Sequence, residues 1–330
     1  MNDDKPFFIV VITGDNLAPE AMKILSEKCR VVFTGPYPQP SILAQKLREE
    51  KAHALILRTG KVPAEVVKAS PDLKVIAKHG AGFDNIDVQT ATALRIPVMT
   101  TATANYESVA EHTLGLMFAL AKDIPRLDSR MHQGFWDKTQ YRGVELYRKT
   151  LGLIGFGRIG RRVHELVAPL QMKVVVFDPF LPESGLPPMV TLVSQLDELL
   201  KAADIVSLHC PLTEQTRNLI GKRELGIMKK SVWLINTARG EVVDEEALIA
   251  ALQEGKIAGA GIDTFRKEPP EDLRRLSEAG KVVLTPHIAA ATEEAFARMG
   301  IEAAQNVMTI LEGRRPDKKS LANPEILESK

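Results

Sequence analysis

A short apolar run, Leu151-Gly-Leu-Ile, leads into Gly155-Phe-Gly157-Arg158-Ile159-Gly160. A segment with Ile159, Val163, Leu166, Val167 and Leu170 at helical spacing follows directly. This succession of strand, glycine turn and amphipathic helix constrains the chain more than anything else in it. The first glycine allows a tight turn and the second lets another molecule approach the backbone. The third lets the helix pack closely on the strand, so that the N–H groups at the helix start face a phosphate. Lys173-Val-Val-Val-Phe177 reads as a second strand and ends at Asp178, about 20 residues beyond the loop. A carboxylate there accepts hydrogen bonds from a ribose 2′-hydroxyl and repels a 2′-phosphate. A dinucleotide site that favours NAD over NADP is therefore expected at Gly155, Gly157, Arg158, Ile159, Gly160 and Asp178.

With 330 residues the chain is long enough for two domains, each with its own core. A composition of 45% hydrophobic and 26% charged residues excludes the disordered and fibrous classes. Lys and Arg number 43 against 42 Asp and Glu, a formal charge of +1, so the overall charge makes no case for nucleic acid or membrane binding. Cys29 and Cys210 lie far apart without Cys-x-x-Cys spacing, which indicates neither a disulfide framework nor a zinc site, and no metal is expected. The opening Met-Asn-Asp-Asp-Lys lacks a signal-peptide core, and no apolar run approaches the ~20 residues of a membrane span. The expectation is a soluble cytoplasmic protein acting on a small molecule.

The glycine loop sits near the middle of the chain, so something else occupies the first 100 or so residues. There Phe7 to Ile12, Ala54 to Leu57 and Lys74 to Ala77 read as strands and Pro63 to Ala69 as a helix, the pattern of a smaller parallel α/β domain. From Ala102 to Lys122 runs one long helix, with Asn105 as N-cap and apolar residues on nearly every side, hence buried between layers. Asp123 to Lys149 loses this periodicity and reads as an extended arm carrying Pro125, Phe135, Trp136, Tyr141 and Tyr147. Its aromatics suit either a subunit interface or packing on the parent domain. Beyond the loop, strands recur at Ile205 to His209, Ser231 to Asn236, Ala258 to Asp263 and Lys281 to Leu284, continuing a doubly wound sheet. The helical run Thr292 to Leu311 returns the chain to the first domain and leaves a polar tail after Gly313.

In such sheets ligands bind at the C-terminal strand ends, and three of those ends carry chemistry. Leu234-Ile-Asn236-Thr-Ala-Arg239-Gly240 puts an arginine on a tight loop. Gly261-Ile-Asp263-Thr-Phe265 is followed closely by Glu268, and Val283-Leu-Thr-Pro286-His287 ends the third. Arginine offers a planar fork to a carboxylate or a developing alkoxide. Histidine exchanges a proton near neutral pH, and an adjacent carboxylate orients it and favours its protonated form. Together on the ligand edge of a dinucleotide sheet, they point to hydride transfer coupled to proton transfer.

Leu55-Ile-Leu-Arg58-Thr, Gly80-Ala-Gly-Phe-Asp-Asn-Ile-Asp87, Asn105 to Glu111, the glycine loop, Asn236 to Asp244 and Pro286-His287 complete a pattern that covers nearly the whole chain. On these residues the chain resembles the D-isomer-specific 2-hydroxyacid dehydrogenases, and within them the D-3-phosphoglycerate dehydrogenases. The resemblance implies that Arg239 binds the substrate's carboxylate and keto oxygen, and that His287 is the acid/base, supported by Glu268. It implies that the amides of Gly80, Ala81 and Gly82 hold the carboxylate and that Arg58, Lys78 and Lys138 surround a phosphate. Asp263 would meet the nicotinamide amide and Asp178 the adenosine ribose, while Pro211, Thr213, Thr237 and Ala238 line the cofactor. The implied architecture is a Rossmann NAD-binding domain, residues 105–289, inserted into a flavodoxin-like α/β substrate domain, residues 1–104 and 290–330, with the active site in the cleft between them. A homodimer or homotetramer through the arm containing Trp136 is implied as well.

Two positions depart from the phosphoglycerate branch, where arginines stand in place of Lys78 and Lys138; lysine keeps the charge and loses the bidentate fork. His79 is also unusual beside that loop. The chain ends at Lys330 without the regulatory domains by which some relatives sense serine, so serine feedback is not expected. The expected reaction is oxidation of 3-phosphoglycerate to 3-phosphohydroxypyruvate, a step of serine biosynthesis, with hydroxypyruvate or glyoxylate reduction as the alternative. An NADH-sensing corepressor-like binding protein shares the architecture, but this compact chain shows no added peptide-binding surface or tails. Formate dehydrogenases lack the glutamate beside their histidine, and Glu268 is present here.

Overall fold

The computed structural model describes residues 7–182 and 186–328. Residues 1–6, 183–185 and 329–330, which include the acidic start and the outer ends of the expected substrate domain, lie outside the described residues. The chain divides into two units, Met1–Asn105 with Ala291–Lys330, and Tyr106–Ala290.

In the first unit the elements are β1 (Phe8–Ile12), α1 (Pro19–Ser26), β2 (Cys29–Phe33), α2 (Pro40–Glu49), β3 (Ala54–Leu57), α3 (Ala64–Val67), β4 (Val75–Lys78), α4 (Val88–Ala93) and β5 (Val98–Met99). The strands pair in parallel in the order β2-β1-β3-β4-β5, the flavodoxin-like arrangement. Alternation along each strand feeds two cores. Val10, Ile12 and Ile56 pack with α1, while Val11, Leu55 and Leu57 pack with α2 and α3.

The second unit holds α5 (Tyr106–Lys122), α6 (Ile124–His132), β6 (Thr150–Ile154), α7 (Arg158–Val167), β7 (Lys173–Phe177), β8 (Val190–Leu192), α8 (Leu196–Ala202), β9 (Ile205–Leu208), α9 (Lys222–Ile227), β10 (Trp233–Asn236), α10 (Glu245–Gln253), β11 (Gly259–Ile262), α11 (Arg274–Ser277) and β12 (Val282–Leu284). The last helix, α12 (Glu293–Leu311), belongs to the first unit, where Gly300 lies against Ala18 and Ala21. The seven strands order as β12-β11-β10-β9-β6-β7-β8, and every pairing is parallel. Such a sheet is covered on both faces, which is why β9 and β10 are buried at every position. Helix α5 lies in the core on one face, although Glu111 and Gly115 reach its surface.

Two expectations are corrected. The stretch after Asp123 is not simply an extended arm, because it opens with the nine-residue helix α6. Pro125, carried by that stretch, lies in the first turn, where its missing N–H has no intrahelical partner to lose. The helix buries none of its residues, so no strong burial pattern announced it. The segment after Gly313 is likewise not a free polar tail. Fully buried Asn323 accepts from the Val98 N–H at 2.9 Å and donates to the Ile96 carbonyl at 2.9 Å, fastening the segment along the β5 edge. The Thr100 and Ala322 amides add bonds to Ser320 and Val98. Among the described residues no helix is long and apolar enough to cross a membrane, and no cluster suits a metal ion.

Candidate active site

In the second unit, the turn after β6 shows why three glycines are needed. Gly155 has φ +93°, and a Cβ there would lie 2.8 Å from the His209 backbone; a Cβ on Gly160 would lie 2.5 Å from the Gly155 carbonyl. A Cβ on Gly157 would meet no protein atom within 4 Å. No packing demand explains that glycine, whereas a ligand lying against the backbone does. Gly157 is also the N-cap of α7 and supplies no side-chain acceptor, which leaves the first N–H groups of the helix for an anion. Arg158 is exposed and Ile159 half-buried in the first turn. Asp178, just past β7, accepts from the Phe156 N–H at 2.9 Å and from the Phe180 N–H at 3.0 Å. These residues fit a dinucleotide.

Elsewhere on this edge, Thr213 and Pro211 share a turn closed by Thr216, whose hydroxyl donates to the Pro211 carbonyl at 2.6 Å. Thr237 is buried and its hydroxyl meets that of Thr113 on α5 at 3.0 Å. Asn236 builds the next turn. Its Oδ1 accepts from the Ala238 N–H at 3.0 Å and its Nδ2 donates to the Arg239 carbonyl at 2.9 Å. Gly240 then allows backbone contact with residues 265 and 266, because a Cβ there would overlap Phe265.

That contact joins the arginine turn to the glutamate loop. Glu268 Oε2 lies 2.7 Å from His287 Nδ1, and its Oε1 accepts from the Phe265 N–H at 3.0 Å. Burial opposes the charge on Glu268, but the bond and charge of His287, the Phe265 amide and nearby Arg239 outweigh it and hold the carboxyl below its usual value. Arg239, Glu268 and His287 are thus brought together. The bond to Glu268 engages Nδ1 of the imidazole, so Nε2 is its other ring nitrogen. Asp263 is fully buried, accepting the Thr285 hydroxyl and the Ile288 and Ala289 amides.

In the first unit, Arg58 follows β3 and Lys78 ends β4. The Arg58 Nη1 donates to the carbonyl and side chain of Asn16, and its guanidinium carbon lies 5.0 Å from the Phe296 ring centroid. Burial lowers Arg58, with Asp15 opposing. The Lys78 ammonium lies 3.4 Å from the Arg58 carbonyl. His79 is buried against Phe296, and burial, then the charges of Arg58 and Lys78, push it down to about 4. Of the three amides expected to hold a carboxylate, that of Gly80 donates to Thr101 Oγ1 at 2.8 Å. Lys138, in the second unit, is exposed on the arm, where it lines a groove of about 450 Å³ with Arg130, Trp136 and Tyr141.

Sequence reasoning missed His112 and Thr285, which bond to each other at 2.9 Å. A polar ring on a helix otherwise read as apolar all round was the available signal, since a buried polar group needs a partner.

Residues 114–289 match the family model for the D-isomer specific 2-hydroxyacid dehydrogenase NAD binding domain. The chain is 41% identical over 308 residues to D-3-phosphoglycerate dehydrogenase of Methanocaldococcus jannaschii, covering 92% of this chain but only 58% of that relative. It is 42% identical over 300 residues to hydroxypyruvate reductase of Thermotoga maritima, covering 90% of this chain and 96% of that one. The crystal structure of D-lactate dehydrogenase from Aquifex aeolicus, complexed with NAD and lactic acid, matches with a TM-score of 0.82 at 31% identity, covering 95% of this chain and 98% of that one. The chain belongs to the D-isomer specific 2-hydroxyacid dehydrogenases, a family of NAD-dependent oxidoreductases.

Proposed function

We propose that the protein interconverts a D-2-hydroxy acid and its 2-keto acid, and that its preferred pair is 3-phosphoglycerate and 3-phosphohydroxypyruvate. The 2.7 Å pair of Glu268 and His287, with Arg239 close enough to act on the same carboxylate, carries the reading of the reaction. Gly155 to Gly160 and Asp178 would hold NAD, which when bound would supply hydride acceptor or donor chemistry. Arg239 holds the substrate's carboxylate and polarises its keto oxygen. His287 Nε2 gives a proton to that oxygen in reduction and takes it back in oxidation, while Glu268 fixes the ring through Nδ1. The Ala81 and Gly82 amides hold the carboxylate.

Arg58 and Lys78, cations on neighbouring strand ends, support the choice of a phosphorylated substrate. Hydroxypyruvate is the second reading, favoured by the engagement of Arg58 Nη1 with Asn16. The test is kcat/KM for 3-phosphohydroxypyruvate against hydroxypyruvate at matched ionic strength, in wild type and Arg58→Ala. A wild-type preference for the phosphorylated substrate that disappears in Arg58→Ala is expected. No preference, or one that survives the substitution, leaves only the general 2-hydroxyacid reading.

The arm supports assembly as a homodimer, since Phe135 and Trp136 are 48% and 72% exposed and Met131 of α6 is 52% exposed beside them. Sedimentation of Trp136→Glu against wild type checks this, with loss of the larger species expected.

A further inference from the structure

Helix α5 carries a polar side chain that the proposed reaction does not use. His112 Nε2 lies 2.9 Å from Thr285 Oγ1 and 3.5 Å from Asp263 Oδ1. The single hydroxyl hydrogen of Thr285 goes to Asp263 Oδ1, at 2.6 Å. Toward His112 the same oxygen is therefore an acceptor, and the imidazole must be the donor, with its proton on Nε2.

The far end of this chain of bonds is the turn that presents His287. Asp263 Oδ1 also accepts from the Ile288 N–H at 2.9 Å, and Oδ2 accepts from the Ala289 N–H at 3.0 Å. The Asp263 carbonyl accepts from the His287 N–H at 2.8 Å. Residues on both sides of His287 are thus suspended from one fully buried acid. The need for such anchoring is visible in the backbone, because His287 has φ +53°, a left-handed conformation that a non-glycine residue keeps only when its surroundings impose it. Thr285 contributes its side chain to the anchor, and His112 fixes the orientation of that side chain from a helix rather than from a loop. A site carried on a rigid element holds its geometry better than one left to the loop itself.

We infer that His112 is a positioning residue for His287, acting through Thr285 and Asp263, so that helix α5 sets the aim of the acid/base. The inference rests on the reading of His287 as acid/base. It assigns the Asp263 carboxylate to the catalytic turn. It also separates His112 from a side chain that merely fills the core, since the donor on Nε2, and not the ring, is what the arrangement requires.

The experiment compares His112→Gln, whose amide reaches a similar position with an N–H, and His112→Phe, which keeps a ring of similar size without one. Turnover of the better 2-keto acid with NADH is measured alongside NADH affinity by fluorescence, and His287→Ala is run in parallel. His112→Phe is expected to lower kcat by ~10- to 100-fold, the scale of a displacement of about 1 Å at a reacting group. NADH affinity should stay within a few-fold of wild type, and His112→Gln should recover most of kcat. Nitrogen-15 spectra of the imidazoles at alkaline pH should place the His112 proton on Nε2, a readout independent of turnover. A folded His112→Phe with kcat within twofold of wild type, a His112→Gln as impaired as His112→Phe, or a proton on Nδ1 overturns the inference. If His112→Phe does not fold, Thr285→Val against Thr285→Ser asks the same question, with loss expected in the first and activity in the second; equal activity overturns it. Full turnover in His287→Ala is a different failure, that of the acid/base reading itself.

Discussion

The Phe156 N–H, inside the glycine turn, donates to Oδ2 of Asp178 at 2.9 Å, so the turn and the carboxylate at the end of β7 form one hydrogen-bonded piece. The Phe180 amide holds the other oxygen. A 2′-phosphate entering beside Asp178 would meet a carboxylate fixed by two amides and unable to swing away cheaply. NADH is therefore expected to exceed NADPH in kcat/KM by at least about tenfold, equivalent to ~1.4 kcal/mol. Exposed Arg158 on the same turn limits the discrimination. Asp178→Ser should narrow the gap, and equal kcat/KM for the two cofactors in wild type would sink the assignment.

His287→Ala is expected to lower kcat by ~10²–10⁴, the range of general acid–base catalysis, with NADH affinity nearly unchanged. Arg239→Lys should also be poorly active, because lysine keeps the charge but not the fork that engages a carboxylate and a keto oxygen together. Steady-state kinetics paired with NADH titration separates the two effects. A His287→Ala enzyme within a few-fold of wild type, or an Arg239→Lys enzyme at full rate, refutes the corresponding role.

Much of this molecule was legible in its sequence because its sheets are parallel and buried on both faces. Runs such as Ile205–Leu208 and Ala54–Leu57 then stand out as strands. The strands that escaped notice are short or part-exposed, such as the two-residue β5 and half-exposed β8. Helix α6 was hidden by Pro125 and by its lack of buried residues. The grouping of Arg239, Glu268 and His287 was legible because each lies on a loop that follows a strand of one parallel sheet, β10, β11 and β12. What sequence could not supply was the commitment of particular atoms. Gly80 uses its amide on Thr101, Arg58 is folded onto Asn16, and Asp263 is fully engaged by the turn of His287. Those partners lie far away along the chain, so no local spacing encodes them.

Glu268 supplies a pH prediction with a definite sign. Its carboxyl is held below the usual value of 4.5, so what its charge contributes is present above that value and lost only as pH falls through the lowered one. Across the neutral and alkaline range Glu268 therefore stays charged beside His287 Nδ1. Glu268→Gln keeps an acceptor but removes the negative charge facing the imidazolium, so the alkaline fall in keto-acid reduction should move to lower pH. An alkaline limb that does not move would mean that Glu268 only shapes its loop.

His79 predicts acid sensitivity in the folded first unit. Its ordinary value of 6.5 is pushed down to about 4 by burial, then by Arg58 and Lys78, so the native chain refuses a proton that the unfolded chain accepts. Stability is accordingly full above pH 6.5 and falls as pH drops from there toward 4, by up to ~1.4 kcal/mol for each pH unit in the window. His209, pushed down by burial to about 3, acts in the same direction. The carboxylates with lowered values, Glu268 among them, titrate below 4.5 and so leave the interval from about pH 5 to 7 to the histidines. His79→Leu removes one titrating group, and though the substitution changes packing and shifts Tm at every pH, its signature is the slope. Thermal unfolding of wild type should show Tm falling across this interval, and His79→Leu should show a shallower fall, with the contribution of His209 common to both. Parallel slopes for the two proteins would mean that His79 accepts its proton in the folded state at an ordinary pH, contrary to its burial against Phe296 and the charges of Arg58 and Lys78.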